Sequence, residues 1–304
     1  MIYKIIQNRK IYLSLSTLAI VISILALFSW GLNFGIDFTG GSLLEVGFKN
    51  YQPTMTEIQD SLKDVGLSNL TIQPTEDSVI LRFKEDNESI HQAVVGKLGD
   101  LVKNKENASI SELQFDSVGP SIGKELKSKS FNSTAIVFIM IIVYISFAFK
   151  KVSRPVASWK YGVAAIIALL HDIIFILGVF SILGHFYDIE INTPFIAAIL
   201  TVLGYSVSDT IVVFDRIREN LPKSQEDFEN TVNRSVNQTL VRSINTSLSS
   251  ILALLAVIFL GGNTIKDFAL ALVIGIFIGT YSSIFIASPA LVIWEKWARK
   301  KKIA

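Results

Sequence analysis

Six stretches of the chain are apolar and long enough to span lipid, and the residues between the first and second are patterned differently. Ile11–Trp30, Phe131–Phe149, Tyr161–Leu183, Pro194–Phe214, Ile244–Leu260 and Phe268–Ile293 each approach or exceed the length that crosses a bilayer. About 20 predominantly apolar residues in a helix cover the roughly 30 Å of hydrocarbon. Lys4, Arg9 and Lys10 precede the first span. Its apolar run is too long for a signal peptide and ends without a clear small-residue cleavage site, so it reads as an uncleaved anchor.

Residues 31–130 alternate polar and apolar positions and carry turn signals. Ser42–Phe48 predicts a strand. Thr54–Val65 predicts a helix, with Thr54 as its cap and Glu57 three residues on, as in a capping box. Leu70–Gln73 and Val79–Phe83 predict two strands, the second placing Val79, Leu81 and Phe83 on one face. Glu88–Val102 predicts an amphipathic helix and Glu112–Val118 a last strand. The order βαββαβ describes a split βαβ, ferredoxin-like unit with two helices on one antiparallel sheet. The expected architecture is thus a six-span α-helical membrane protein with one α+β domain between spans one and two. Its divisions are 1–30, 31–130 and 131–304.

Composition agrees with a bilayer protein: half of the 304 residues are hydrophobic, and the mean hydropathy is +0.48. A net charge of +2 gives nucleic-acid binding no support, and zero cysteines remove disulfides and thiolate chemistry. The three histidines, His91, His171 and His185, are too scattered for a metal site. No cofactor motif and no catalytic constellation is legible. Basic residues cluster in alternate connections: Lys150, Lys151, Arg154 and Lys160, then Arg216, Arg218, Lys223, Arg234 and Arg242, then Lys296 and residues 299–302. That alternation predicts both termini in the cytoplasm and the α+β domain outside.

The chemistry lies where the spans stop being apolar. Asp209 falls inside span four, where a carboxylate costs about 2.5–3.5 kcal/mol at mid-bilayer. Such a group is either a structural partner to a cation on a neighbouring helix or part of an ion path. His171 and Asp172 fall in span three, on a helix whose Ala164, Ala168, His171, Phe175 and Gly178 share one mostly small face. Arg242 precedes span five, followed by Ser243, Asn245, Thr246, Ser247, Ser249 and Ser250. Asp209 and Arg242 then lie toward one side, and an ion pair between them that opens on protonation is expected; equally, Arg242 serves as a cytoplasmic anchor. Asp215, Arg216, Arg218 and Glu219 read as interfacial anchoring. Phe228, Val232, Val236 and Leu240 predict a helix on the membrane surface or under the bundle. Ala271, Gly275, Gly279, Ser283 and Ala287 in span six form a small-residue packing face, for a helix of this chain or another.

Two motifs carry a resemblance. GIDFTGG, Gly35–Gly41, follows span one, and GYSVSDTIVVFDRIREN, Gly204–Asn220, closes span four. With six spans, a single large external domain and the His171–Asp172 pair, the whole chain resembles the SecD/SecF family of protein-export membrane proteins, on its SecF side. One departure is Ser208, where the family pattern has Asn beside the aspartate; serine keeps a small polar group there.

The resemblance implies membership of the resistance-nodulation-division superfamily and a non-enzymatic role in the cytoplasmic membrane. It implies work with SecD, the SecYEG channel and SecA on a translocating preprotein, driven by a proton or sodium gradient. It also implies ion coupling at Asp209 and Arg242, with Asp172 and His171 as further candidates. GIDFTGG has no following Lys-Ser/Thr and no helix is expected to start there, so it is no phosphate loop. Gly35, Asp37, Gly40 and Gly41 are instead expected to form a tight entry to the first strand and a hinge. A small-molecule or lipid exporter half and a purely structural subunit are the alternatives.

Overall fold

A computed structural model of the chain describes residues 3–75, 78–103, 105, 107–148, 158–261 and 263–303. The chain divides into two compact units, residues 34–131 and residues 1–33 with 132–304.

Helix α1, Arg9–Trp30, belongs to the larger unit; the smaller one holds α2 (Ile36–Thr39), β1 (Gly41–Lys49), α3 (Met55–Leu62), β2 (Thr71–Pro74), β3 (Ser78–Phe83), α4 (Glu88–Lys103) and β4 (Ser109–Val118). The strands form one antiparallel sheet in the order β2-β3-β1-β4. Leu44 and Val46 of β1 and Val79, Leu81 and Phe83 of β3 bury one face against Ile58 and Leu62 of α3 and Val94 and Leu98 of α4. The period-2 pattern of β3 therefore sets its inward face. Thr54 and Glu57 close a full capping box: Thr54 N donates to Glu57 Oε2 at 2.8 Å and Glu57 N to Thr54 Oγ1 at 3.3 Å.

GIDFTGG departs from expectation in one respect. A single helical turn, α2, does form inside it, closed by Thr39 Oγ1 donating to Gly35 O at 3.0 Å. Local bonding of a hydroxyl to the preceding turn suffices for such a short element. Gly40 and Gly41 both take left-handed φ, +76° and +123°. A Cβ on Gly41 would sit 2.6 Å from Phe83 O, and one on Gly40 2.9 Å from Pro120 Cα.

The larger unit holds the spans. Beyond α1 these are α5 (Pro120–Ala148), α6 (Ser158–Tyr187), α7 (Thr193–Asn220), α8 (Phe228–Leu260), α9 (Asn263–Ser282) and α10 (Ser288–Ile303). A π-helical turn, Ser283–Ala287, joins α9 to α10, so these make one sixth span. Among the described residues, six helices are long and apolar enough to cross a membrane. Their outward faces are apolar: Ile11, Leu15, Leu18 and Leu25 on α1 and Leu248, Leu252 and Phe259 on α8 are exposed. All four tryptophans stand near span ends; Trp30 stacks on His185 at 4.7 Å and Trp159 meets Trp294 edge-on at 4.8 Å. That is the interfacial placement amphipathic rings favour. Of the basic residues between spans two and three, Lys150, Lys151 and Arg154 lie outside the described residues.

One expectation changes here, and one left open is answered. The segment expected under the bundle is not a separate helix: it continues into span five as α8, and its Phe228, Val232 and Val236 are buried. Its polar face receives the N-terminal segment. Asn233 and Asn237 amides both donate to Tyr3 O, and Ile6 N donates to Asn233 Oδ1 at 3.1 Å. Glu229 accepts from both Arg9 and Lys296, binding α1, α8 and α10 at one end. The small-residue stripe of span six faces a helix of this chain. A Cβ on Gly275 would fall 2.1 Å from Val202 Cγ2, and one on Gly279 3.0 Å from Ser206 Cβ, both on α7.

Candidate functional site

The close approach of α9 to α7 decides where the buried polar groups meet, since small residues let the backbones come near enough for short hydroxyls to reach. Asp172 of α6 is fully buried. Its Oδ2 accepts from Ser206 Oγ of α7 at 2.7 Å and from Ser282 Oγ of α9 at 2.8 Å. Its Oδ1 lies 3.1 Å from His171 Nδ1. His171 is buried, and its Nε2 has no hydrogen-bond partner among the described residues. The carboxyl of Asp172 is thus met by three side chains, which is what a buried polar group requires.

Asp209, one turn below Ser206 on α7, is served less fully. Its Oδ1 accepts from Ser243 Oγ of α8 at 2.5 Å, while Oδ2 is buried with no hydrogen-bond partner. Among the described residues neither Ser283 nor Arg242 closes a hydrogen bond to Oδ2. The Ser283 hydroxyl is engaged elsewhere, with Gly279 O at 2.9 Å and Thr210 Oγ1 at 2.8 Å. Among the described residues the direct Asp209–Arg242 ion pair expected from sequence is absent. Arg242 is exposed and instead lines a pocket of about 230 Å³ with Val212, Asp215, Arg216, Glu219, Gln238 and Thr239.

The structure therefore brings His171, Asp172 and Asp209 into the bundle interior. Gly35, Asp37, Gly40 and Gly41 lie in the α+β unit. Ser206, Ser282 and Thr210 were not singled out by sequence reading. The signal was available in their spacing: Ser206 stands three residues before Asp209, on the same helical face. A hydroxyl on an otherwise apolar span gave no hint of which carboxylate it would serve.

Fold and site together define a six-span membrane protein whose interior holds two aspartates among serine hydroxyls. The comparisons make this specific. Residues 97–297 match the model of the protein export membrane protein SecD/SecF, C-terminal, and residues 26–51 match the SecD/SecF GG motif. The chain belongs to the SecD/SecF family. It is 43% identical over 304 residues to a protein translocase subunit SecF of Thermobaculum terrenum, covering 96% of this chain and 93% of that one. It is 39% identical to the SecF subunit of Anaerolinea thermophila, over 96% and 94% of the two chains. Among solved structures, the crystal structure of SecDF, a translocon-associated membrane protein from Thermus thermophilus, superposes with a TM-score of 0.82 at 32% identity. That match covers 97% of this chain and 39% of the other, so this chain spans about two fifths of the solved one.

Proposed function

We propose that the chain is the SecF-type accessory subunit of the Sec preprotein translocase, working with SecD, and that it couples export to an ion gradient at Asp209. The observation that carries the coupling is the half-served Asp209 carboxylate: a buried oxygen without a donor suits a group that changes its proton or cation occupancy. Arg242, standing free of it, favours a charge that acts on Asp209 from the pocket side over a permanently fixed pair. Asp172 and His171 form a second polar centre one helix away. Each charge carried across the membrane releases about 2.3 kcal/mol per 100 mV.

In this reading residues 1–30 are the cytoplasmic N-terminus and first span, 31–130 an extracytoplasmic domain of ferredoxin-like topology, and 131–304 the remaining spans with a cytoplasmic C-terminus. The alternation of basic connections supports that orientation. SecYEG, SecA and the emerging preprotein are the partners, membrane lipid surrounds the apolar faces, and Gly35, Asp37, Gly40 and Gly41 link span one to the domain. The test is preprotein translocation into inverted vesicles holding the partner complex and ATP, with and without an imposed gradient. Asp209→Asn is expected to lose the gradient's stimulation and keep the ATP-driven part. Equal stimulation of variant and wild type would move ion coupling away from Asp209.

A further inference from the structure

Span six changes its helical geometry between the two carboxylates. The π-helical turn begins at Ser283, and such turns interrupt the regular hydrogen-bond ladder and recur at functional sites. Ser282 and Ser283, adjacent there and fully buried, reach different helices. Ser282 Oγ reaches Asp172 Oδ2 at 2.8 Å and Gly279 O at 3.1 Å. Ser283 Oγ reaches Gly279 O at 2.9 Å, Thr210 Oγ1 at 2.8 Å and Ser206 O at 3.3 Å, the last two on the turn of α7 that carries Asp209. Each hydroxyl has one proton to donate. The two hydroxyls thus face more acceptors than they have protons: Asp172 Oδ2, Gly279 O and Ser206 O, with Asp209 Oδ2 nearby on α7 and without a hydrogen-bond partner among the described residues.

We propose that Ser282 and Ser283 are positioning residues that make the hydrogen bonding of Asp172 and Asp209 interdependent. An ionised Asp209 draws the Ser283 hydroxyl to Oδ2. Gly279 O then falls to Ser282, which must divide its single proton between that carbonyl and Asp172. A neutral Asp209 returns Ser283 to Gly279 O and leaves Ser282 with Asp172. Ser206 completes the link, since its hydroxyl donates to Asp172 at 2.7 Å while its carbonyl accepts from Ser283. The other charged or titratable groups facing the pair are His171, at Asp172, and Arg242, acting on Asp209. The inference rests on the proposed role of Asp209 as a group that changes protonation.

The experiment is infrared titration of the chain with SecD in lipid nanodiscs, following the carboxylic-acid band lost in Asp209→Asn. Ser282→Ala is expected to displace the midpoint of that band by about one pH unit, tenfold in proton concentration, although Ser282 bonds Asp172 and not Asp209. Ser282→Thr, which restores the hydroxyl, is expected to return it. Should Ser282→Ala fail to assemble, Ser282→Cys keeps the volume and weakens the donor. An Asp209 band titrating at the wild-type midpoint in the folded Ser282 variants would overturn the interdependence and leave the proposed function intact. A wild-type protein with no titrating Asp209 band would overturn both.

Discussion

Gly178→Ala should separate span one from span three. A Cβ built on Gly178 lies 2.2 Å from Ser23 Cβ and 2.5 Å from Ser23 Cα. Carbon atoms settle at about 3.5–4.0 Å, so the two helices must part by more than about 1 Å there. The nearer obstacle is a short side chain and the next is backbone, so no rotamer change relieves it. Parting also strains Ser181 Oγ, which reaches Ala26 O at 3.0 Å and Gly31 O at 2.5 Å. Overpacking costs about 1–3 kcal/mol, and a membrane-buried hydrogen bond adds about 0.6 kcal/mol. The expected loss is about 2–4 kcal/mol, read by SDS unfolding of the purified chain in detergent. Gly204→Ala is the control. Nothing lies within 4 Å of its Cβ position, and replacing a helical glycine gains up to about 1 kcal/mol. If Gly178→Ala unfolds with wild type, the close crossing of spans one and three is wrong.

Two further outcomes follow from the α+β unit. Gly41→Ala, which drives a Cβ into Phe83 O at left-handed φ, is expected to expose β1 and β3 amides to hydrogen exchange and lower export together. Retained protection with lost export would instead isolate a hinge. Thr54→Ala should cost about 1 kcal/mol by uncapping α3. Its partner Glu57 has a carboxyl held below its ordinary value of 4.5, chiefly by the Thr54 backbone N–H and then by Tyr51. A depressed carboxyl stabilises the fold above its unfolded value, so this contribution is full above pH 4.5 and fades as pH falls through the lower folded value. Faster amide exchange in α3 at acid pH, absent from Glu57→Gln, would bear this out.

Legibility tracked the range of the interaction. The capping box at Thr54 and Glu57 and the alternation of Val79, Leu81 and Phe83 are local, and the structure carries both. Span cores were legible for the same reason, since hydrocarbon demands long apolar runs. Helix ends were not. α5 begins at Pro120, well before the apolar stretch, because backbone bonding continues once a helix has nucleated. Phe228–Val241 likewise joined α8 although its composition differs from that of the span. Partners of the charged groups were least legible. The ion cluster of Arg9, Glu229 and Lys296 joins residues more than two hundred positions apart at its widest, and only the folded bundle brings them together.

The packing of span six explains why the buried carboxylates can be close in the network and yet differ. Gly275 and Gly279 remove side chains where α9 crosses α7, so Ser206, Ser282 and Ser283 meet without any long side chain between them. A regular α-helix would place residues 282 and 283 about 100° apart on one cylinder. The wide turn that starts there lets neighbouring hydroxyls serve different helices, Ser282 toward Asp172 on α6 and Ser283 toward Thr210 on α7. Larger residues at the crossing would fill the space and hold the carboxylates apart. Small ones leave a path of short hydrogen bonds, in which a change at one carboxylate alters the donors left for the other.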